Sequence, residues 1–167
     1  MNEVLYEAAY RWDSHMGIPF LLILGSVIML LLTVKEVRKT KTLKGLRGKL
    51  CISALILMVS SGVATLEVAT QVDMYQNIIV AYQEGNYETV EGQVENFVPM
   101  PAEGHATEHF TIRGIPFEYA DYSALQGYNN TNVMGGVITG NGQWLKIGYV
   151  YYEPWDCNVI VYIEERK

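Results

Sequence analysis

Residues 18–34 read IPFLLILGSVIMLLLTV and residues 50–66 read LCISALILMVSSGVATL, two runs of 17 residues without a charged side chain. About 17–25 apolar residues span a bilayer core as helix, at roughly 1.5 Å per residue. A core helix of a soluble bundle keeps a polar stripe, and neither run has one. The sequence therefore predicts two transmembrane helices, 18–34 and 50–68. Between them lies KEVRKTKTLKGLRGK, residues 35–49. It carries Lys35, Arg38, Lys39, Lys41, Lys44, Arg47 and Lys49 against Glu36 alone. Short loops this rich in Lys and Arg stay cytoplasmic, where they also meet anionic lipid. The expected orientation puts both termini outside.

The rest of the composition agrees. The net charge is −6, and residues 71–167 hold 13 acids against Arg113, Lys146, Arg166 and Lys167. That balance argues against a nucleic-acid partner. A chain of 167 residues is about one domain's worth, and 50 % hydrophobic residues are enough for collapse. Two cysteines exclude a disulfide-stapled scaffold. Cys51 falls at the cytoplasmic end of the second span and Cys157 outside, so a bilayer would keep them apart.

The flanks of the spans carry their own signals. Residues 1–17 are acidic, and the apolar run after them ends in Lys35, unlike a cleavable signal peptide. Leu5, Ala8, Trp12 and Met16 recur at helical spacing. Tyr6, Tyr10 and Trp12 are aromatics favoured at a membrane interface. The expectation is an interfacial helix over 1–17, broken by Gly17 and restarted with Pro19 in the tolerated first turn. In the second span Ser60, Ser61 and Gly62 form a small-residue patch suited to packing on the first. Glu67 sits at the outer boundary, where its charge reaches water, and is not an ion-path residue. Beyond it Val68, Val72, Tyr75, Ile79 and Tyr82 are spaced 4, 3, 4, 3. That is one apolar seam on a stalk helix over 69–86, closed by Gly85 and Asn86. The seam packs either on the chain's own distal domain or on a second copy; two heptads are too few for a coiled coil.

From Tyr87 the apolar period changes to two. Val90, Gly92 and Val94 alternate with acids and Gln93, and Phe97 falls out of phase, which predicts a bulge near Glu95 and Asn96. Phe110 and Ile112 form a second strand, followed by a tight turn at Arg113-Gly114. Ile115, Phe117 and Tyr119 form a third, with Pro116 suited to an edge or a strand start. Gly140-Asn141-Gly142 is a strong turn. Leu145, Ile147, Tyr149 and Tyr151 share one face of a fourth strand; Trp144 points the other way. Residues 159–163, VIVYI, are apolar on both faces and predict a buried fifth strand. Five strands and a bulge predict a small OB-like β-barrel over 87–167, with a small β-sandwich as the alternative. A region this small leans on the stalk helix to complete its core.

The stretches GNYETVEGQVENFVPMPAEGH, FTIRGIPFEYADY, GYNNT and GG resemble a family of uncharacterised small bacterial membrane proteins. The resemblance covers residues 85–149. It is carried by Gly85, Tyr87, Val90, Glu91, Gly92, Val94, Phe97, Pro99, Gly104, His105, Phe110, Phe117, Tyr119, Gly127, Asn129, Asn130, Thr131, Gly135 and Gly136. It implies amino-terminal membrane helices, a carboxy-terminal extracytoplasmic β-domain and a bacterial plasma membrane location, but no activity. The departure is at Glu153-Pro154-Trp155-Asp156, where a shorter turn between strands is expected.

No motif here fixes a reaction. His105 and His109 lie in EGHATEH, but on a strand residues four apart lie roughly 13 Å apart, and no third ligand is fixed by spacing; no metal and no cofactor are expected. GYNNTNVMGG, residues 127–136, lacks phosphate-loop spacing. It reads either as a turn-rich loop satisfying its own backbone or as a binding loop. Asn129-Asn130-Thr131 also fits a glycosylation acceptor, which a bacterial resemblance makes idle. Tyrosines and tryptophans with carboxylates suit sugar, but no carboxylate pair is fixed by spacing. The expected contact surface joins Pro99, Met100, Pro101, Gly104 and His105 to Gly127, Tyr128, Asn129, Asn130, Gly135 and Gly136, with Tyr128 and Asn130 as anchors. The function expected is a membrane-anchored, non-enzymatic binding or accessory module for a protein or envelope component. The alternatives are a regulatory or immunity-like subunit of a membrane complex and an envelope hydrolase. Expected partners are the bilayer and a protein or second copy through spans or stalk.

Overall fold

A computed structural model describes residues 2–11, 17–40 and 46–166. The chain forms two compact units, one of Trp12–Val72 and one of Met1–Arg11 with Asp73–Lys167.

In the first unit the two apolar runs are helices α1 (Gly17–Thr40) and α2 (Leu46–Met74). Both are long and apolar enough to cross a membrane, and only 17 % of each apolar window is buried. Besides Pro19 and Gln71, the buried positions are small or hydroxylated: Ser26, Thr33, Ser53, Ser60 and Ala64. Each hydroxyl is satisfied by its own helix, as in Ser60 Oγ donating to the Ile56 carbonyl at 2.7 Å and Thr33 Oγ1 to Met29 at 2.8 Å. Small residues let helices approach closely. Of the expected patch Ser60 is buried, while Ser61 and Gly62 are exposed. The basic loop is shorter than its sequence bounds. Helix α1 runs through Lys35, Arg38 and Lys39, and α2 already includes Arg47 and Lys49. Lys and Arg are good helix formers, and cations suit a helix C-terminus. Lys41 and Lys44 lie outside the described residues. An ion pair, Lys49 to Glu36 at 2.8 Å, links the two helices at that end. It is exposed and so worth at most about 1 kcal/mol.

The second unit holds seven strands in two sheets and is not a closed barrel. Strands β1 (Asn2–Glu7), β7 (Cys157–Arg166), β6 (Trp144–Tyr152) and β2 (Glu88–Gln93) pair in that order. Strands β3 (Glu95–Val98), β4 (Glu108–Ile112) and β5 (Ile115–Tyr119) form the other sheet. The expected bulge is real but sharper. Val94 separates β2 from β3, and Asn96 adopts φ 53°, so the first strand breaks and its halves join different sheets. Closure fails on the opposite side too. Between β5 and β7 the polar link runs from Asn158 Nδ2 to the Pro116 carbonyl at 3.0 Å. Pro116 has no N–H to give a ladder, which keeps β5 at an edge.

The interfacial helix expected over 1–17 is corrected in its first half. Residues 2–7 are β1, antiparallel to β7 with Asn2 opposite Arg166 and Tyr6 opposite Ile163. Trp12 and Met16 lie outside the described residues. Val4 and Tyr6 suit a strand as well as Leu5 and Ala8 suit a helix, and an unpaired β7 edge decides between them. A fragment that begins at residue 71 therefore lacks one strand of this sheet.

Strand β7 is covered on both faces. Tyr149 faces Ile160 and Gly148 faces Tyr162, so Val161 is an extra residue in the ladder. That bulge turns Val159 and Val161 to one side, and Ile160 and Ile163 to the other. Ile160 and Ile163 join Phe110, Ile112, Phe117, Leu145, Ile147 and others in a core shared by the two sheets. Val159 and Val161 meet Met74, Ile78, Ile79, Tyr152, Leu125 and Ala8. The stalk helix thus completes the domain's own core with the outer part of the expected seam, Tyr75, Ile79 and Tyr82, but not with its inner part. Val68 and Val72 are exposed, Ile79 is buried, and Met74 and Ile78 are buried beside it. The reason is local. Tyr75–Val80 winds as a π-helix before a last α-turn, Ala81–Gln83. An i→i+5 turn is wider than an α-turn and rotates the apolar face.

Candidate functional site

The two loops expected to form a contact surface are joined from beneath by a residue the sequence reading passed over. Glu108 opens β4 on the same face as Phe110 and Ile112 and is fully buried. Its carboxyl oxygens accept from Tyr119 Oη at 2.5 Å, the Asn132 amide at 3.0 Å and the Met100 amide at 3.4 Å. One donor comes from each of the segments 99–105 and 127–136, so both are tied to β4. Strand alternation was the available signal, since 108, 110 and 112 share a face. Burial, and then the bond to Glu108, pushes the Tyr119 phenol well up from its usual range.

These ties make much of the expected surface interior. Tyr128 is 4 % exposed and packs edge-on between Tyr6 at 5.1 Å and Tyr119 at 5.2 Å. Its hydroxyl accepts the Val137 amide at 2.7 Å. It is a core residue and not the surface anchor expected. Asn129 is also buried and donates to the Leu125 carbonyl at 2.6 Å, and Met100 is buried. Gly136 packs so closely that a Cβ there would lie 2.1 Å from the Asn130 carbonyl oxygen. Pro99, Pro101, His105, Asn130 and Gly135 are exposed, and Gly104 and Gly127 half-buried. His105 adopts φ 66° on its loop, whereas His109 stands on the outer face of β4 opposite Glu118. Among the described residues no three His, Cys, Asp or Glu side chains gather as metal ligands.

A concavity of the β-domain lies next to this surface. An open cleft of about 490 Å³ is lined by Thr107, residues 118–120, residues 122–125, Asn129 and residues 155–157. Of the expected surface it includes Asn129 alone. One wall is the departure noted in the sequence. Glu153–Trp155 forms a 3-10 turn that ends at Asp156 in the left-handed region, φ 49°. That turn leaves Trp155 half exposed, at 50 %. Asp156 Oδ1 accepts the Tyr151 hydroxyl at 2.6 Å, which raises the Tyr151 phenol. The opposite wall, residues 122–125, is held by the amino terminus. The Arg11 amide donates to Gln126 Oε1 at 2.9 Å, Gln126 Nε2 donates back to the Arg11 carbonyl at 2.7 Å, and the Arg11 guanidinium reaches the Ser123 carbonyl at 3.2 Å. Cys157 is half-buried at the cleft. Burial first, then the negative charges of Asp156 and Glu118, raise its thiol above the usual range.

Among family models, curated proteins and solved structures, none matches this chain. No family model supports the resemblance drawn from residues 85–149.

In the helical unit a groove of about 570 Å³ runs between α1 and α2, lined by apolar side chains, Ser60 and Glu67. Glu67 Oε2 is buried there without a hydrogen-bond partner.

Proposed function

We propose that this chain is a non-enzymatic binding or accessory module. In this reading two helices anchor it in a bacterial plasma membrane, both termini lie outside the cytoplasm, and the β-domain meets its ligand there. The observation that carries the binding assignment is the open cleft beside Trp155. A volume of about 490 Å³ falls within the roughly 300–1,000 Å³ of small-ligand sites. Its walls are loops fixed by hydrogen bonds, an arrangement that suits recognition because little order is lost on binding. A nucleophilic use of Cys157 is disfavoured, since a raised thiol is held protonated and the thiolate is the reactive form. The membrane assignment rests on two long apolar helices that are mostly unburied, and the orientation on the basic residues between them.

Two reporters at the carboxy terminus test placement, one active only outside the cytoplasm and one only inside. Activity of the outside reporter alone is expected. Activity of the inside reporter alone overturns the orientation. For the cleft, a photo-crosslinking side chain at Tyr122 in cells should give a discrete adduct that the same group at exposed Thr89 on β2 does not give. Identical adducts from both positions would remove the cleft from the proposal.

A further inference from the structure

Resting on that reading of the cleft, we propose that its ligand is an organic cation, an ammonium group on a short stem. It would seat against the indole of Trp155 and between the carboxylates of Glu118 and Asp156.

Three observations converge. First, the lining carries two acids, Glu118 and Asp156, and among the described residues no Lys or Arg. The acids come from different elements, β5 and the turn before β7, yet both line the same cleft, as does Cys157. Second, two exposed aromatic side chains, Trp155 and Tyr122, line the same space at 50 % and 63 % exposure. Exposed aromatics in a concavity offer π-faces, and tryptophan is the best of them for a cation within roughly 6 Å. Third, the surrounding charges reinforce this sign. Asp121 lies between lining residues 120 and 122, and Glu153 opens the turn that carries Trp155. The nearby cation, Arg11, is engaged by the carbonyl oxygens of Ser123 and Leu125 at 3.2 and 3.5 Å.

An anion or a phosphate would face two carboxylates in a lining that, among the described residues, holds no Lys or Arg. A neutral sugar would use the aromatics and hydroxyls but would gain nothing from the acids. A cation uses both sets of groups. The cleft volume of about 490 Å³ accepts an aliphatic amine with part of what carries it. The same ammonium chemistry is available from a lysine side chain on a polypeptide and from a free diamine.

The test uses the full chain in nanodiscs of zwitterionic lipid, labelled with 5-fluorotryptophan. Trp155→Phe identifies the Trp155 signal. The probes are Nα-acetyl-lysine methylamide, 1,5-diaminopentane, the neutral isostere Nα-acetyl-norleucine methylamide, Nα-acetyl-glutamate methylamide and maltose. The expected result is a saturable shift of the Trp155 signal by the lysine probe, the diamine or both, at least tenfold tighter than norleucine. A stronger lysine response assigns the source to a polypeptide, and a stronger diamine response to a free amine. Glu118→Gln with Asp156→Asn should weaken that binding at least tenfold and leave the spectrum otherwise unchanged. Asparagine is at home in the left-handed region, so the turn at 156 survives the change. Equal binding of norleucine and lysine, or tighter binding of maltose or the glutamate probe, overturns the cation assignment and leaves the cleft a binding site. Unweakened lysine binding in the double variant overturns the role of the two acids. A Trp155 signal unmoved by all five probes overturns the cation assignment and the cleft reading together.

Discussion

Replacing Glu108 should unfasten two loops at once. The side chain is fully buried and accepts from Tyr119 Oη, the Asn132 amide and the Met100 amide at 2.5, 3.0 and 3.4 Å. Glu108→Ala leaves those three donors, two buried and the Asn132 amide part-buried, without that partner. An orphaned buried donor costs about 1–3 kcal/mol. The Met100 contact is long and contributes least, so the expected loss is about 3–6 kcal/mol. Glu108→Gln is a sharper probe. The amide oxygen can still take the two backbone N–H groups, and the Tyr119 hydroxyl can turn to accept from the new NH₂, so the loss falls to about 1 kcal/mol. Tyr119→Phe removes one strong bond and should cost about 1.5–3 kcal/mol. Combined with Glu108→Ala it should cost less than the sum, because the alanine has already broken that bond. The assay is denaturant unfolding of the full chain in detergent, followed by near-ultraviolet circular dichroism. Amide exchange at Met100 and Asn132 reports the loops directly. If Glu108→Ala costs under about 1 kcal/mol, or leaves both amides as protected as in the parent, the hub assignment is wrong.

Further expectations follow from close packing and from burial. Gly136→Ala places a Cβ 2.1 Å from the Asn130 carbonyl oxygen and 2.8 Å from the Tyr128 hydroxyl. It should cost about 1–3 kcal/mol, and a thermal melt unchanged from the parent would contradict the packing of 127–136. The phenols of Tyr6, Tyr149, Tyr152 and Tyr162 are each pushed up to about 12, chiefly by burial and, for the last three, by hydrogen bonds to Glu88, Asp73 and Glu164. A pKa raised on folding favours the protonated form of the folded state, so this contribution is complete below pH about 10 and is lost as the pH climbs towards 12. Absorbance titration of tyrosinate should therefore show a group of phenols ionising late and together with loss of structure. Midpoints equal to those of the guanidinium-unfolded chain would refute it.

The two apolar helices, the alternating strands and the burial of Phe117 and Ile163 follow from sequence alone. They depend on local periodicity and on transfer of side chains out of water, and both are written residue by residue. The basic character of 35–49 is equally local. Tertiary structure decided everything that depends on a distant partner. Residues 2–7 have helical and strand patterns at once, and the free edge of β7, more than 150 positions away, settles them as a strand. The barrel stayed open because the break at Asn96 and the missing N–H of Pro116 act on sheet geometry, which no window of sequence contains. Tyr128 was legible as an aromatic in a polar loop, but Tyr6 and Tyr119 bury it from two other strands. The cleft is the same case. Trp155, Tyr122, Glu118 and Asp156 are ordinary surface residues in the sequence, and two turns, a strand and the clasp at Arg11 bring them around one space.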